Sequence, residues 1–103
     1  MRDINYKNDV ILTRGAIVCN HVAMRIHPIL HCFHTNSVDS ADSGWQFFCG
    51  VEPEESISDV QIWSLSEVIR LEPTLSRFME LPEGMSVWRS KKELPWEVAP
   101  ISS

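Results

Sequence analysis

No lysine or arginine stands between Arg25 and Arg70, and the whole 103-residue chain holds only 9 of them against 14 aspartates and glutamates. A formal net charge of −5 excludes the polyanion binders, because nucleic-acid affinity comes largely from Lys and Arg neutralising phosphates. No apolar run is long enough to span a bilayer, so no membrane role is expected. The amino-terminal stretch MRDINYKNDVILTRGAIV interrupts its apolar residues with Lys7, Asp9 and Arg14. It therefore lacks the continuous h-region of a secretory signal, and a cytoplasmic location is expected.

Cysteine is scarce and odd in number: Cys19, Cys32 and Cys49 do not make the even framework of a disulfide-stapled secreted domain. Reduced, buried thiols are expected. With 4 glycines in all, there is no phosphate-cradling loop. In GWQFFCG two glycines lie six apart with bulky residues between them, which leaves no room for backbone to approach a phosphate.

What is present fits one ordinary domain over residues 1–103. The hydrophobic share is 44% and the charged share 22%, typical of soluble globular chains, and a chain of this length buries roughly 60 to 68% of its unfolded surface. The gap in basic residues is filled with acid: Asp39, Asp42, Glu52, Glu54, Glu55, Asp59 and Glu67. Such a block is either a solvated face or a docking surface for a basic partner, where complementary potential speeds encounter.

The pattern reads as strands first and helices late. GAIVCNHVA, opened by Gly15 and rich in β-branched residues, predicts a strand. PILHCFHTN predicts a second, and the short connection MRIHP suggests an antiparallel hairpin between them. SVDSADSG is a loop by composition. In WQFFCGVE, period-two alternation puts Trp45, Phe47 and Cys49 on one face and Gln46, Phe48 and Gly50 on the other. Apolar bulk on both faces implies a central strand covered on both sides.

Ser64 followed by Glu67 has capping-box spacing, with Trp63 and Val68 placed as a hydrophobic staple. Leu65, Val68 and Ile69 continue the helical period until Pro73 ends it. TLSRFME predicts another turn or two, LPEG a turn, and MSVWR a last strand. The tail is expected to fray beyond Trp96. The fold class expected is α+β: a small, mainly antiparallel sheet with two short helices inserted before the last strand.

Candidate chemistry is thin. His21, His27, His31 and His34 with Cys19 and Cys32 are zinc-type ligands, but no C-x-x-C or H-x-x-x-H pair anchors a site. No metal and no cofactor are expected. A Cys49 thiolate paired with a histidine lacks the basic surroundings that generate one. Adjacent acids such as Glu52 and Glu54 are not specific enough to imply acid–base catalysis.

The run DSGWQFFCGVEPEE followed by IWSLSEVIRLEPTLSRFMELPEGMSVW resembles the immunity protein 33 family. The resemblance covers about residues 15–88 and rests on Gly44, Trp45, Phe47, Phe48 and Gly50, on Ile62 through Leu71, on Pro73, and on the turn with Pro82 and Gly84. Gln46, Cys49 and Val51 depart from the residues common there, which are Arg, Ser and Asp. The resemblance implies a non-catalytic protein that binds and neutralises a cognate toxin. Its expected partner presents a basic surface, and the expected contacts are Asp39, Asp42, Gln46, Glu52, Glu54, Glu55 and Asp59 around Trp45 or Trp63. Two other classes stay open: a small domain binding a small molecule or another protein with no toxin partner, and a thiol or metal enzyme.

Overall fold

A computed structural model describes residues 12–37, 40–50 and 60–101. Its chain order is β1 (Gly15–Cys19), the helical turn α1 (Asn20–Ala23), β2 (His31–His34), β3 (Asp42–Phe48), β4 (Val60–Ser64), α2 (Leu65–Leu71), a 3-10 helix (Pro73–Phe78), β5 (Met85–Trp88) and β6 (Glu97–Pro100). The strands form one six-stranded sheet in the order β4-β1-β3-β2-β5-β6.

The fold is α+β, but the sheet is mixed, which corrects the mainly antiparallel expectation. β1 and β3 run parallel, with Ile17 opposite Gln46 and Val18 opposite Phe47. The expected β1–β2 hairpin does not form. The segment after β1 coils instead into α1, and Arg25 takes a positive φ of 61°, so the chain is carried past the neighbouring position. β3 later fills that position, pairing antiparallel with β2 on its other side. The histidine and asparagine after Cys19 therefore belong to a helical turn and not to a nine-residue strand. The helices precede β5 and not the last strand, because the tail does not end its order at Trp96: Glu97–Pro100 pairs with β5 as an edge strand.

Period-two alternation sorts β3 into the two sets its sequence predicts, but only one of them is fully covered. Trp45, Phe47 and Cys49 are 1%, 0% and 1% exposed, whereas Gln46 and Phe48 are half-buried. Val18, Cys32 and Val87 share the buried face by their register with Phe47, and Leu65, Val68 and Leu75 from the helices complete the core. The helix α2 begins at Ser64, where the capping box forms: the Ser64 hydroxyl accepts from the Glu67 amide at 3.3 Å, and the Glu67 carboxylate accepts from the Ser64 amide at 2.9 Å.

Gly44 is required by space as much as by conformation. Its φ is +83°, and a Cβ there would lie 2.3 Å from the Thr35 carbonyl oxygen. The backbone of β3 thereby lies directly against β2, with the Gly44 carbonyl accepting from the Thr35 amide at 2.7 Å. Next to it the His34 ring stacks on Trp45 with centroids 4.5 Å apart. The His34 nitrogens face the carbonyls of Leu81 and Ser43 at 2.8 and 3.1 Å, which fixes the plane against which Trp45 packs.

A second brace closes the helical layer. Arg89, 5% exposed, pairs with Glu72 at 3.1 Å and lies 3.9 Å from the centroid of Trp96. The Trp96 indole N–H donates to Thr74 at 2.9 Å, and Thr74 donates to the Glu72 carboxylate. Glu72, placed by sequence at the end of a helix, is thus the anion that neutralises a buried guanidinium.

Two outcomes follow for stability. Phe47→Ala should cost about 3 to 5 kcal/mol, and Phe48→Ala only about 1 to 2 kcal/mol because its ring is half in water. Urea midpoints of the two variants check the order, and equal losses would mean that both faces of β3 are core. Glu72→Ala should cost about 3 kcal/mol or more, since it strands the Arg89 charge; a change near zero in the same titration would show that Arg89 reaches water.

Candidate functional site

Strand register decides what the sheet offers on the side away from the helices. Cα partners across a sheet share a face, so Ile62, Ile17, Gln46 and Phe33 form one row across β4, β1, β3 and β2. Phe48, His31 and Trp88 form the adjoining row across β3, β2 and β5. The rings of Phe33 and Phe48 lie 6.1 Å apart, and those of His31 and Phe33 6.4 Å apart. None of the described helices packs on this face. Ile62 is 71% and Trp88 41% exposed, while Ile17, Gln46, Phe33, Phe48 and His31 are half-buried. The result is an apolar stripe across five strands with two polar side chains set into it.

The expected contact residues are distributed unevenly over the molecule. Gln46 lies on the open face, donating from Nε2 to the Thr35 hydroxyl at 3.3 Å. Asp42 is half-buried at the start of β3, and its carboxylate accepts from the Gly44 amide at 2.9 Å. It helps to shape the glycine turn. Trp45 is a correction: it lies inside the core at 1% exposure, because its position in the alternation matches Phe47. Trp63 sits on the helical side at the sheet edge, half-buried, with the Arg25 guanidinium 5.4 Å from its ring. These two line an open groove of about 440 Å³ with Glu67, Arg70 and Leu71. Asp39, Glu52, Glu54, Glu55 and Asp59 lie outside the described residues.

Ile17, Ile62, Phe33 and Trp88 were missed by sequence reasoning. Each belongs to a short strand whose alternation is visible, but which face stays open depends on where the helices pack.

The cysteines also separate by environment. All three are buried and none is in a disulfide. Cys32 lies in the core beneath β5, where burial pushes its thiol far above the ordinary value, with nearby Arg89 offsetting only part of the effect. Burial likewise pushes Cys19 up. Cys49 Sγ lies 3.6 Å from His21 Nδ1, the pairing that thiol chemistry uses. Its 1% exposure keeps a substrate carbon from the sulfur, so the pair does not constitute a nucleophilic site in this structure.

The raised thiols predict a pH dependence. A thiol held above its unfolded value keeps its proton more firmly when folded. Its contribution is therefore fully present below the unfolded pKa, and is lost as pH rises past the ordinary thiol value of 9.0 towards the folded one. Stability should hold at neutral pH and decline above about 9, and Cys32→Ala should flatten that decline. Urea midpoints from neutral pH to about pH 10 test it; parallel declines in the two proteins would exclude Cys32 as a source.

Taken together, a helix-covered core face and an apolar face on which no described helix packs define a small α+β domain. The family described as Immunity protein Imm33 domain matches residues 16–98, most of the chain, and the protein belongs to that family. No curated protein and no solved structure gives a significant match. No described helix is long and apolar enough to cross a membrane.

Proposed function

We propose that this protein is a non-catalytic immunity protein of the cytoplasm that neutralises a cognate bacterial toxin by direct binding, and that the toxin docks on the open face of the sheet. The observation that carries the reading is the stripe of Ile62, Ile17, Phe33, Phe48 and Trp88, in a chain whose family is one of immunity proteins. Neutralisation by binding needs only a complementary surface, with apolar anchors at its centre and charge at its rim. A net charge of −5 favours a toxin with a basic surface, steered by long-range attraction. The acidic residues Asp39, Glu52, Glu54, Glu55 and Asp59 are assigned to that steering.

The small-molecule reading has less behind it. A described groove of about 650 Å³ mixes Thr74, Arg77, Lys92 and Glu93 with Leu94, Pro95 and Trp96 and lies wide open to solvent, whereas ligand pockets are concave and enclose most of the ligand surface.

The roles of anchor and rim are separable by kinetics against the co-purified toxin at two salt concentrations. Trp88→Ala and Ile62→Ser should speed dissociation and together cost roughly 2 kcal/mol or more. Exchange of Glu54 and Glu55 for Lys should slow association and weaken its salt dependence, with the fold intact. Unchanged dissociation in the first pair would remove the open face from the interface, and unchanged association in the second would make the acidic block a solvated surface.

A further inference from the structure

We propose that Cys19, His21 and Cys49 form a zinc site at the end of the parallel β1–β3 pair. Parallel pairing brings Val18 level with Phe47, so Cys19 and Cys49 emerge at the same end of the sheet, and α1 begins there with His21 as its second residue. The two sulfurs and a ring nitrogen of His21 all lie within 4.8 Å of one another.

One ligand separation already has the value the ion demands, and the others, at most 4.8 Å, need to close by about 1 Å or less. Zinc bonds of about 2.3 Å to sulfur and about 2.0–2.1 Å to nitrogen, at tetrahedral angles, set sulfur–nitrogen separations near 3.6 Å and sulfur–sulfur separations near 3.8 Å. The observed Cys49 Sγ to His21 Nδ1 distance is 3.6 Å. A thiol–imidazole hydrogen bond accounts for that distance and a thiol–thiol contact joins Cys19 to Cys49; an ion would replace both contacts with bonds to one point. On binding, each ion displaces two thiol protons to solvent. Two thiolates cancel the charge of the ion, which suits a site whose sulfurs are 0% and 1% exposed. His21 is half-buried, and the His27 ring stands edge-on to it at 5.4 Å between centroids.

This reverses the expectation of unmetallated thiols. That expectation rested on ligand spacing along the chain and on the acidic surroundings of Cys49, whereas the parallel pairing of β1 with β3 brings Cys49, just beyond β3, to Cys19 and His21. The proposal does not depend on the toxin reading.

The test uses the reduced, metal-free full chain and two probes, Zn²⁺ alone and Co²⁺ alone. One Zn²⁺ per chain should be retained through desalting and should raise Tm, because the ion binds only the folded state. Co²⁺ should give a near-ultraviolet thiolate charge-transfer band and intense visible bands of tetrahedral coordination. Cys32→Ser should keep both signals, His21→Ala should weaken retention, and Cys19→Ser and Cys49→Ser should abolish the charge-transfer band or cut it sharply. The parent protein alone decides the matter if a variant fails to fold: a Co²⁺ spectrum without the thiolate band overturns the site. Equal zinc retention by a folded Cys49→Ser variant also overturns it.

Discussion

The arrangement of the molecule depends on one pairing, that of β1 with β3. Because the two run parallel, the chain must leave β1, cross over, and return in the same direction, which a tight hairpin cannot do. The helical turn α1 starts that departure, and β2 is laid down one position further out before β3 fills the gap. β3 then has neighbours on both sides, and its buried residues Trp45 and Phe47 reach into the middle of the core. The two glycines that frame the aromatic motif answer the same constraint. Gly44 and Gly50 both adopt positive φ, and side chains there would meet Thr35 and His31 of the adjoining β2 segment.

A sheet whose described helices all lie on one side has an energetic asymmetry. The core face is closed by Leu65, Val68 and Leu75 and braced by the Arg89–Glu72 pair under Trp96. On the opposite face, apolar side chains from five strands stay partly in water, at a hydrophobic cost of about 25 cal/mol per Å². Contiguous apolar surface of this kind marks an interaction site in soluble proteins.

The buried thiols illustrate how strand order creates local chemistry. Cys32 is surrounded by core and is inert by burial. Cys19 and Cys49 are as deeply buried, yet they converge with an imidazole at the margin of the sheet. The difference is position along the strand: Cys32 lies within β2, whereas Cys19 closes β1 and Cys49 follows β3.

Much of the local structure was legible in the residues. The Ser64 and Glu67 spacing predicted a helix start because a capping box is a contact within four residues. The two faces of β3 followed from alternation, and Pro73 separated α2 from the 3-10 helix for steric reasons that involve only its neighbour. Strand order was not legible. GAIVC has the same apolar pattern whether its neighbour is parallel or antiparallel, so the β1–β2 hairpin was a fair reading of the short connection and was wrong. Likewise, Glu97–Pro100 carries little strand signal, and becomes β6 only because β5 presents a free edge. The sequence by itself determined most of the elements, the two sets of side chains on β3 and the acidic balance, since these depend on residues close in the chain or on composition. Tertiary structure alone decided which face of β3 the helices close, that Phe33 and Trp88 share a face with Ile62, and that Cys49 meets Cys19 and His21, because each is a juxtaposition between strands whose order is set by packing of the whole sheet.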